Sequence, residues 1–408
     1  MTNRGKAWIA GISVVVVTGF VCGGVLWNAW RNERVEEASE QMTENENIRE
    51  IGENRLDAQE LSAGEAKEKD QAAELPAENE TQEEGRVTEA SLQVLEDPRI
   101  YSYDDMMRDV QVLEVLYPDD FSAETLAQTA DGRQVQLLVV GNPLAEKKIF
   151  VNGAIHGREY ITGQLVMKQA AAFLRHLQNG DSYKEQPYRS LMEDCAIYAV
   201  PMVNPDGISI SQYGLEGILT ETVRKNVEHI AELDGCIPEG DYLTKWKANG
   251  NGVDLNRNFD ALWDVYQDPA GHPSADHYKG TEPGCEAESA ALISLTREQQ
   301  FSRTISYHTQ GGVIYWYFAQ EGELYEKSLD FGERISHLTG YDLDGNYEDL
   351  DPAGYKDWAI SAEKIPSLTI EVGRETSPVP SEQMEEIWNR NEYVWEETLL
   401  DVMEEQRG

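Results

Sequence analysis

Positive charge is scarce in this chain: 34 Lys or Arg face 75 Asp or Glu over 408 residues, a net charge of -41. A surface so negative is repelled by phosphate backbones and anionic headgroups, which excludes nucleic acid as a partner and direct binding to an anionic membrane face. Cysteine is scarce too, with four in all and no zinc-finger spacing among them. Cys195 opens an apolar run and reads as a buried thiol, whereas Cys236 and Cys285 fall in loop-like stretches and could bridge in an exported protein. Residues 31–97 lack aromatics altogether and hold 21 Asp or Glu against 7 Lys or Arg. Such a segment cannot bury enough apolar surface to offset its ordering entropy, so a solvated stalk is expected.

Against that background one long uncharged run stands out, residues 7–30 (AWIAGISVVVVTGFVCGGVLWNAW), long enough to cross a bilayer as a helix. Trp8, Trp27 and Trp30 lie near its ends, where amphipathic rings favour the interface. A cleaved export signal would have a shorter apolar core and a small-x-small site, yet Trp27 and Asn28 occupy the candidate positions. The predicted organisation is a cytoplasmic N-terminus at 1–6, a transmembrane signal anchor at 7–30, a disordered acidic stalk at 31–97 and a globular domain at 98–408, held outside the membrane. Arg4 and Lys6 before the span nearly balance Arg31 and Arg34 after it, so these charges alone leave the orientation open. The first six residues contribute +2 and the stalk -14, which leaves -29 on the domain.

From residue 98 apolar runs alternate with helical patterns. The spacing predicts an amphipathic helix near 105–117, strands at 135–140 and 148–151, and a long helix at 160–177 with Gly180 just past its end. A strand at 195–200 is stopped by Pro201 and turns at Asn204-Pro205-Asp206-Gly207. Further on come a helix at 286–297, strands at 303–307 and 313–318, a helix at 322–337, a strand at 367–371 and one closing helix at 381–404. This order predicts the α/β class: a single domain with a mixed, mainly parallel sheet flanked by helices on both faces. Functional groups should gather beyond the carboxyl ends of the strands, where His156, His308 and Glu371 fall.

The run Ile155-His-Gly-Arg-Glu159 sets an imidazole and a carboxylate three residues apart, and His308 in Ser306-Tyr-His-Thr309 can bring a second imidazole from a distant strand. Two nitrogens and one carboxylate are the ligand set of a catalytic zinc, with the fourth position open for water. Among seven histidines a lone His-x-x-Glu decides nothing, since a histidine capped by its neighbouring glutamate explains it equally well. Farther along, Gly252-Val-Asp-Leu-Asn-Arg-Asn-Phe259 offers in Arg257 a planar fork suited to a carboxylate, with Asn256 as a donor beside it. His176, His229, His272, His277 and His337 show no ligand spacing and read as structural or surface residues.

Taken in order, six stretches resemble the zinc metallocarboxypeptidases of the carboxypeptidase A and B type over roughly residues 98–404. They are His156-Gly-Arg-Glu159, Val203-Asn-Pro-Asp-Gly207, Val253-Asp-Leu-Asn-Arg-Asn258, Tyr278-Lys-Gly-Thr-Glu-Pro283 with Glu286 and Glu288, Ser306-Tyr-His308, and Thr369-Ile-Glu-Val-Gly373. The resemblance implies one Zn2+ held by His156, Glu159 and His308, polarising the scissile carbonyl and lowering the pKa of its water. It implies Glu371 as the carboxylate that takes the water's proton and passes it to the leaving amine. Asn256 and Arg257 match the clamp on the substrate's terminal carboxylate. The family's oxyanion cation is in many members an arginine nine positions before the Asn of the Asn-Arg pair. Here that place holds Lys247, which keeps the charge and loses the fork; a solvated surface lysine is the competing reading. The family's mobile tyrosine before Asp357-Trp358 is displaced: counting back reaches Asp349, with Tyr347 two residues off and Tyr355 the other candidate. Lys356, just before that Asp, occupies a position that helps set side-chain preference and would suit an acidic group on the substrate.

The anchor, Trp246-Lys-Ala-Asn249 and Gly354-Tyr-Lys-Asp-Trp358 look like the branch that cleaves peptidoglycan stem peptides at γ-D-glutamyl-diaminopimelate bonds. The expectation is a membrane-anchored zinc peptidase, monomeric, acting on a peptide or a peptidoglycan stem peptide. An aspartoacylase-type zinc deacylase shares the His-x-x-Glu and His set, but the Asn-Pro-Asp-Gly string and the final Thr-Ile-Glu-Val-Gly favour the peptidase. From a different class, an inactive anchored receptor for wall peptides is supported by Lys247 alone.

Overall fold

The computed structural model describes residues 87–96, 99–345, 347 and 350–405. The expected membrane segment and most of the stalk lie outside the described residues; among those described, no helix is long and apolar enough to cross a membrane. Residues 87–96, read as the end of the stalk, belong instead to the globular unit, which begins at Val87. Two 3-10 turns, Glu89–Ser91 and Gln93–Leu95, bury Leu92 and Val94, while the amides of Gln93 and Val94 donate to the buried Asp109 carboxylate at 2.7 and 2.8 Å. One apolar pair and one acceptor dock the segment, which its acidic composition concealed.

Helix α1 (Tyr103–Leu116) starts in a capping box: the Ser102 hydroxyl accepts from the Asp105 amide at 3.1 Å and Asp105 accepts from the Ser102 amide. Strands β1 (Phe121–Gln128), β2 (Gln134–Gly141) and β3 (Lys147–Asn152) follow. Next come α2 (Ile161–Asn179), closed by Gly180 at φ 74, then β4 (Cys195–Val200), α3 (Pro205–Tyr213) and α4 (Glu221–Leu233). The second half holds α5 (Ala287–Gln299), β5 (Arg303–His308), β6 (Val313–Tyr315), α6 (Gly322–Thr339) and β7 (Asp342–Leu343). It ends with α7 (Tyr355–Ser361), β8 (Ser367–Glu371), α8 (Met384–Asn391) and α9 (Val394–Glu404).

These strands form one eight-stranded sheet in the order β1-β2-β4-β3-β5-β8-β6-β7. The four central strands β4, β3, β5 and β8 are mutually parallel, with antiparallel pairings at β1–β2, β2–β4 and β8–β6. The mixed, mainly parallel α/β sheet read from the sequence agrees with this arrangement. Strand alternation divides the core. Phe150 and Tyr198 pack with Leu292, Leu295, Tyr355 and Trp358 from α5 and α7, whereas Ile149 and Val151 are buried on the side where α2 and α9 cross β3.

Local differences have identifiable causes. The stretch read as a turn at 204–207 opens α3, because the Asn204 side chain accepts from the Gly207 amide at 2.8 Å and Pro205 suits the first helical turn. Helix α4 has no counterpart in the sequence reading, although Val223, Val227 and Ile230 share a face and pack with Trp246 in a small second core. The closing helix is broken between α8 and α9, where the Asn391 carbonyl is taken by Gln169 Nε2 at 2.8 Å. Strand β6 is shorter than predicted because Gln320 folds back, accepting from Phe318 N at 2.6 Å and donating to Trp316 O at 2.9 Å. Cys195 is buried as expected; Cys236 and Cys285 are unbridged, and Cys285 Sγ lies 3.2 Å from Asn258 Nδ2.

Two buried glutamates couple this core to pH. Burial pushes Glu288 up to about 8 and Glu396 up to about 7, and Glu396 Oε2 has no hydrogen-bond partner among the described residues. Both folded-state values lie above that of the unfolded chain, so the folded protein binds the extra protons and stability is lost as pH rises through 7 to 8. Urea unfolding at pH 5.5 and 8.5 should show the native protein weaker at the higher pH. Glu396→Gln should remove about 2 kcal/mol of that difference. An unchanged pH dependence in this variant would refute the assignment.

Candidate active site

The site is built where β3, β5 and β8 end. Sheet register aligns Asn152 with Ser306 and His308 with Glu371, so the final residues of β5 and β8 stand side by side. The loop after β3 is held by its backbone: Gly153 N donates to Val200 O at 3.0 Å, Val203 N to Gly153 O at 3.1 Å, and Ala154 N to Thr162 Oγ1 at 2.7 Å. His156 stays extended at φ -100, and the 3-10 turn Gly157–Glu159 brings the carboxylate back beside it. Gly157 must be glycine, because a Cβ there would meet the backbone of Gly207 at 2.3 Å. Its amide donates to Lys247 O at 3.0 Å, tying this loop to the next functional segment.

His156 Nδ1 lies 2.9 Å from Glu159 Oε1, and His308 Nδ1 lies 3.1 Å from Oε2 of the same carboxylate. The three buried residues each offer a donor atom within 4.8 Å of the others. Behind the His156 ring, Nε2 is 3.1 Å from Oδ1 of the fully buried Asp254. A carboxylate there fixes a proton on Nε2 and leaves the Nδ1 lone pair facing the cluster, as a ligating imidazole requires. Against the opposing effect of burial, Glu159 and Asp254 raise His156 to about 9. Burial would raise Glu159, yet His156 and His308 hold its carboxyl well below the usual range. The centre therefore attracts positive charge, while burial lowers His308 and keeps it neutral. Donor set and charge preference both fit one zinc ion.

Lys247 is not the solvated lysine of the competing reading: it is 9% exposed, with its ammonium 3.2 Å from Asp276 Oδ1 and 3.9 Å from Asp254 Oδ2. Burial opposes its charge, but these two carboxylates raise its pKa. His277, read as uninvolved, joins Asp254 and Asp276 in a second group of ligand-type atoms. The Lys247 ammonium already supplies the positive charge there. Glu371 at the end of β8 has an enclosed Oε2 with no hydrogen-bond partner among the described residues. Burial first, and the Glu159 charge second, push its carboxyl up to about 8.

Beside Glu371 opens a cavity of about 530 Å³ whose walls include Asn256, Arg257, Tyr315, Asp351 and Lys356. Asn256 Oδ1 accepts from the Tyr355 amide at 3.1 Å. The Arg257 guanidinium lies over Tyr266 and donates through Nη1 to Asn256 O at 2.9 Å and through Nη2 to Asp351 Oδ2 at 2.6 Å. Lys356 donates to Tyr317 O at 3.2 Å and to Asp357, so its charge is already engaged rather than free for an acidic ligand. Tyr347, 47% exposed, rests on Tyr317 and Trp316 and does not line the cavity. Tyr355 is core, its hydroxyl 2.9 Å from that of Thr296. The tyrosines that line the cavity are Tyr315 on β6 and Tyr317 just after it. A larger cavity of about 1050 Å³ lies at the opposite ends of β5 and β8, where Arg303 is engaged by Asp401 and Glu405.

Sequence reasoning missed Asp254, Asp276, Tyr315 and Asp351. Asp254 stands two residues before the Asn-Arg pair, and that spacing could have marked it. The others depend on how loops and the short strand β6 fold back, which no local spacing encodes.

The sequence profile of the zinc carboxypeptidases matches residues 106–394. Gamma-D-glutamyl-L-diamino acid endopeptidase 1 of Lysinibacillus sphaericus is 30% identical over 290 residues, covering 71% of this chain and 69% of that protein. The uncharacterized protein YqgT of Bacillus subtilis (strain 168) is 30% identical over 292 residues, covering 70% and 74%. Among solved structures, thrombin activatable fibrinolysis inhibitor superposes with a TM-score of 0.58 at 19% identity over 75% of each chain, a likeness of fold alone.

Proposed function

Because the chain belongs to the zinc carboxypeptidase family of metallohydrolases, we propose that it hydrolyses the γ-D-glutamyl amide of peptidoglycan stem peptides, on the near side of a diamino acid. The observation that carries this reading is the convergence of His156, Glu159 and His308 beside a Glu371 oxygen that has no partner among the described residues, at a cavity that also holds Arg257. When bound, zinc supplies a Lewis acid at the scissile carbonyl and lowers the pKa of water in the site.

The chain's own groups do the rest. Glu371 Oε2 accepts the water's proton and passes it to the leaving amine. Asp254 holds His156 in one tautomer. Lys247 offers a buried ammonium to the oxyanion that develops on the carbonyl. Arg257 and Asn256 receive the carboxylate of the leaving residue. The named activity of the L. sphaericus relative supports the substrate. The uncharged run at 7–30 and the acidic segment behind it support an anchored enzyme working on the wall side of the membrane.

The test is a digest by the full-length protein of a γ-D-glutamyl-meso-diaminopimelate stem peptide and of an α-linked peptide of the same length, with products identified by mass. Faster cleavage of the stem peptide at the γ-amide is expected. Ready trimming of the α-linked peptide with the stem peptide left intact would overturn the proposal.

A further inference from the structure

We propose that Asp351 is a specificity residue, binding an ammonium group on the side chain of the leaving residue. The inference rests on the reading that Arg257 holds that residue's carboxylate. Among the described residues that line the cavity, four carboxyl groups, those of Asp344, Asp351, Asp357 and Glu371, accompany two cations, Arg257 and Lys356. Each cation is already ion-paired within the chain, Arg257 with Asp351 and Lys356 with Asp357.

A leaving residue that carried carboxylates alone would have to displace Asp351 from Arg257 and leave that carboxylate uncompensated beside the incoming one. A residue with both a carboxylate and an ammonium exchanges partners instead: the carboxylate takes the Arg257 fork, and the ammonium takes Asp351. The two protein groups are built unequally for this exchange. Arg257 is fixed, with its side chain 9% exposed, stacked over Tyr266 and bonded to Asn256 O. Asp351 is adaptable: its side chain is 73% exposed, and Arg257 is its hydrogen-bond partner among the described residues. It can turn from the guanidinium to a ligand without uncovering the core. Because Lys356 is held by Asp357 and the Tyr317 carbonyl, the described residues lining the cavity offer no free cation to repel the ammonium.

Two substrates that differ by one group test this: γ-D-glutamyl-meso-diaminopimelate, and the same compound with 2-aminopimelate, which lacks the distal amine. Both are assayed with the full-length zinc enzyme and with Asp351→Asn. The native enzyme should favour the amine-bearing substrate roughly five- to tenfold, mainly in KM, and Asp351→Asn should bring the ratio towards one. A native enzyme indifferent to the amine overturns the inference, and so does a ratio that survives in Asp351→Asn. A KM improved equally for both substrates would make Asp351 an internal competitor for the clamp and likewise overturn it. Cleavage of neither substrate by the native enzyme would instead overturn the γ-D-glutamyl reading and the inference with it.

Discussion

Glu371→Gln should keep its zinc and lose about three orders of magnitude in kcat, within the range that a positioned general base supplies. Glutamine fills the same space at the end of β8 and preserves the pairing of that strand with His308, but it cannot accept a proton. It also leaves His156, Glu159 and His308 intact, so zinc measured per chain by atomic absorption should stay at one. KM should move little, because the ground-state contacts assigned to Arg257 and Asn256 are untouched. The native Oε2 has no partner among the described residues, so the substitution breaks no hydrogen bond they supply, and a fall in kcat would report lost proton transfer. A variant that retained zinc and lost less than about tenfold would remove Glu371 from the base role.

Much of the fold was legible because its central strands and long helices carry strong local patterns. Cys195–Val200 and Arg303–His308 are buried along their whole length; the first reads as an apolar run, and the second sets the β-formers Thr304, Ile305 and Tyr307 between helical segments. Helix α2 announces its end with Gly180 in the left-handed conformation. The docked turns at 87–96 carried no such pattern, since their order depends on Asp109, a residue of another element. The site divides in the same way. His156 and Glu159 belong to one turn and could be paired by spacing, and motif order brought His308 and Glu371 beside them. Tyr315 and Asp351 enter the cavity from a short strand and a loop, whose positions are set by tertiary packing. Lys356 shows the converse limit: sequence places the cation correctly but cannot show that Asp357 already engages it.

Glu159→Ala should lose zinc and, with it, turnover, and the comparison with Asp254→Asn makes the result diagnostic. Glu159 is the carboxylate between two imidazoles, with Oε1 2.9 Å from His156 and Oε2 3.1 Å from His308. Removing it leaves two neutral donors and takes away the charge that draws a cation into a buried site, so zinc affinity should fall by well over about 100-fold. Asp254 does not belong to the ligand set; it orients His156 from behind, and an orienting partner of this kind is worth about 10- to 100-fold in metal affinity. Zinc retained after dialysis should therefore fall in the order native, Asp254→Asn, Glu159→Ala. Thermal unfolding gives an independent readout, because a metal that binds only the folded state raises Tm with its concentration. Added zinc should raise Tm in the native protein, raise it less in Asp254→Asn, and leave Glu159→Ala unmoved. If Glu159→Ala held one zinc per chain and still cleaved substrate, the metal would have to be held elsewhere, and the convergence of His156, Glu159 and His308 would be only a buried ion-pair network.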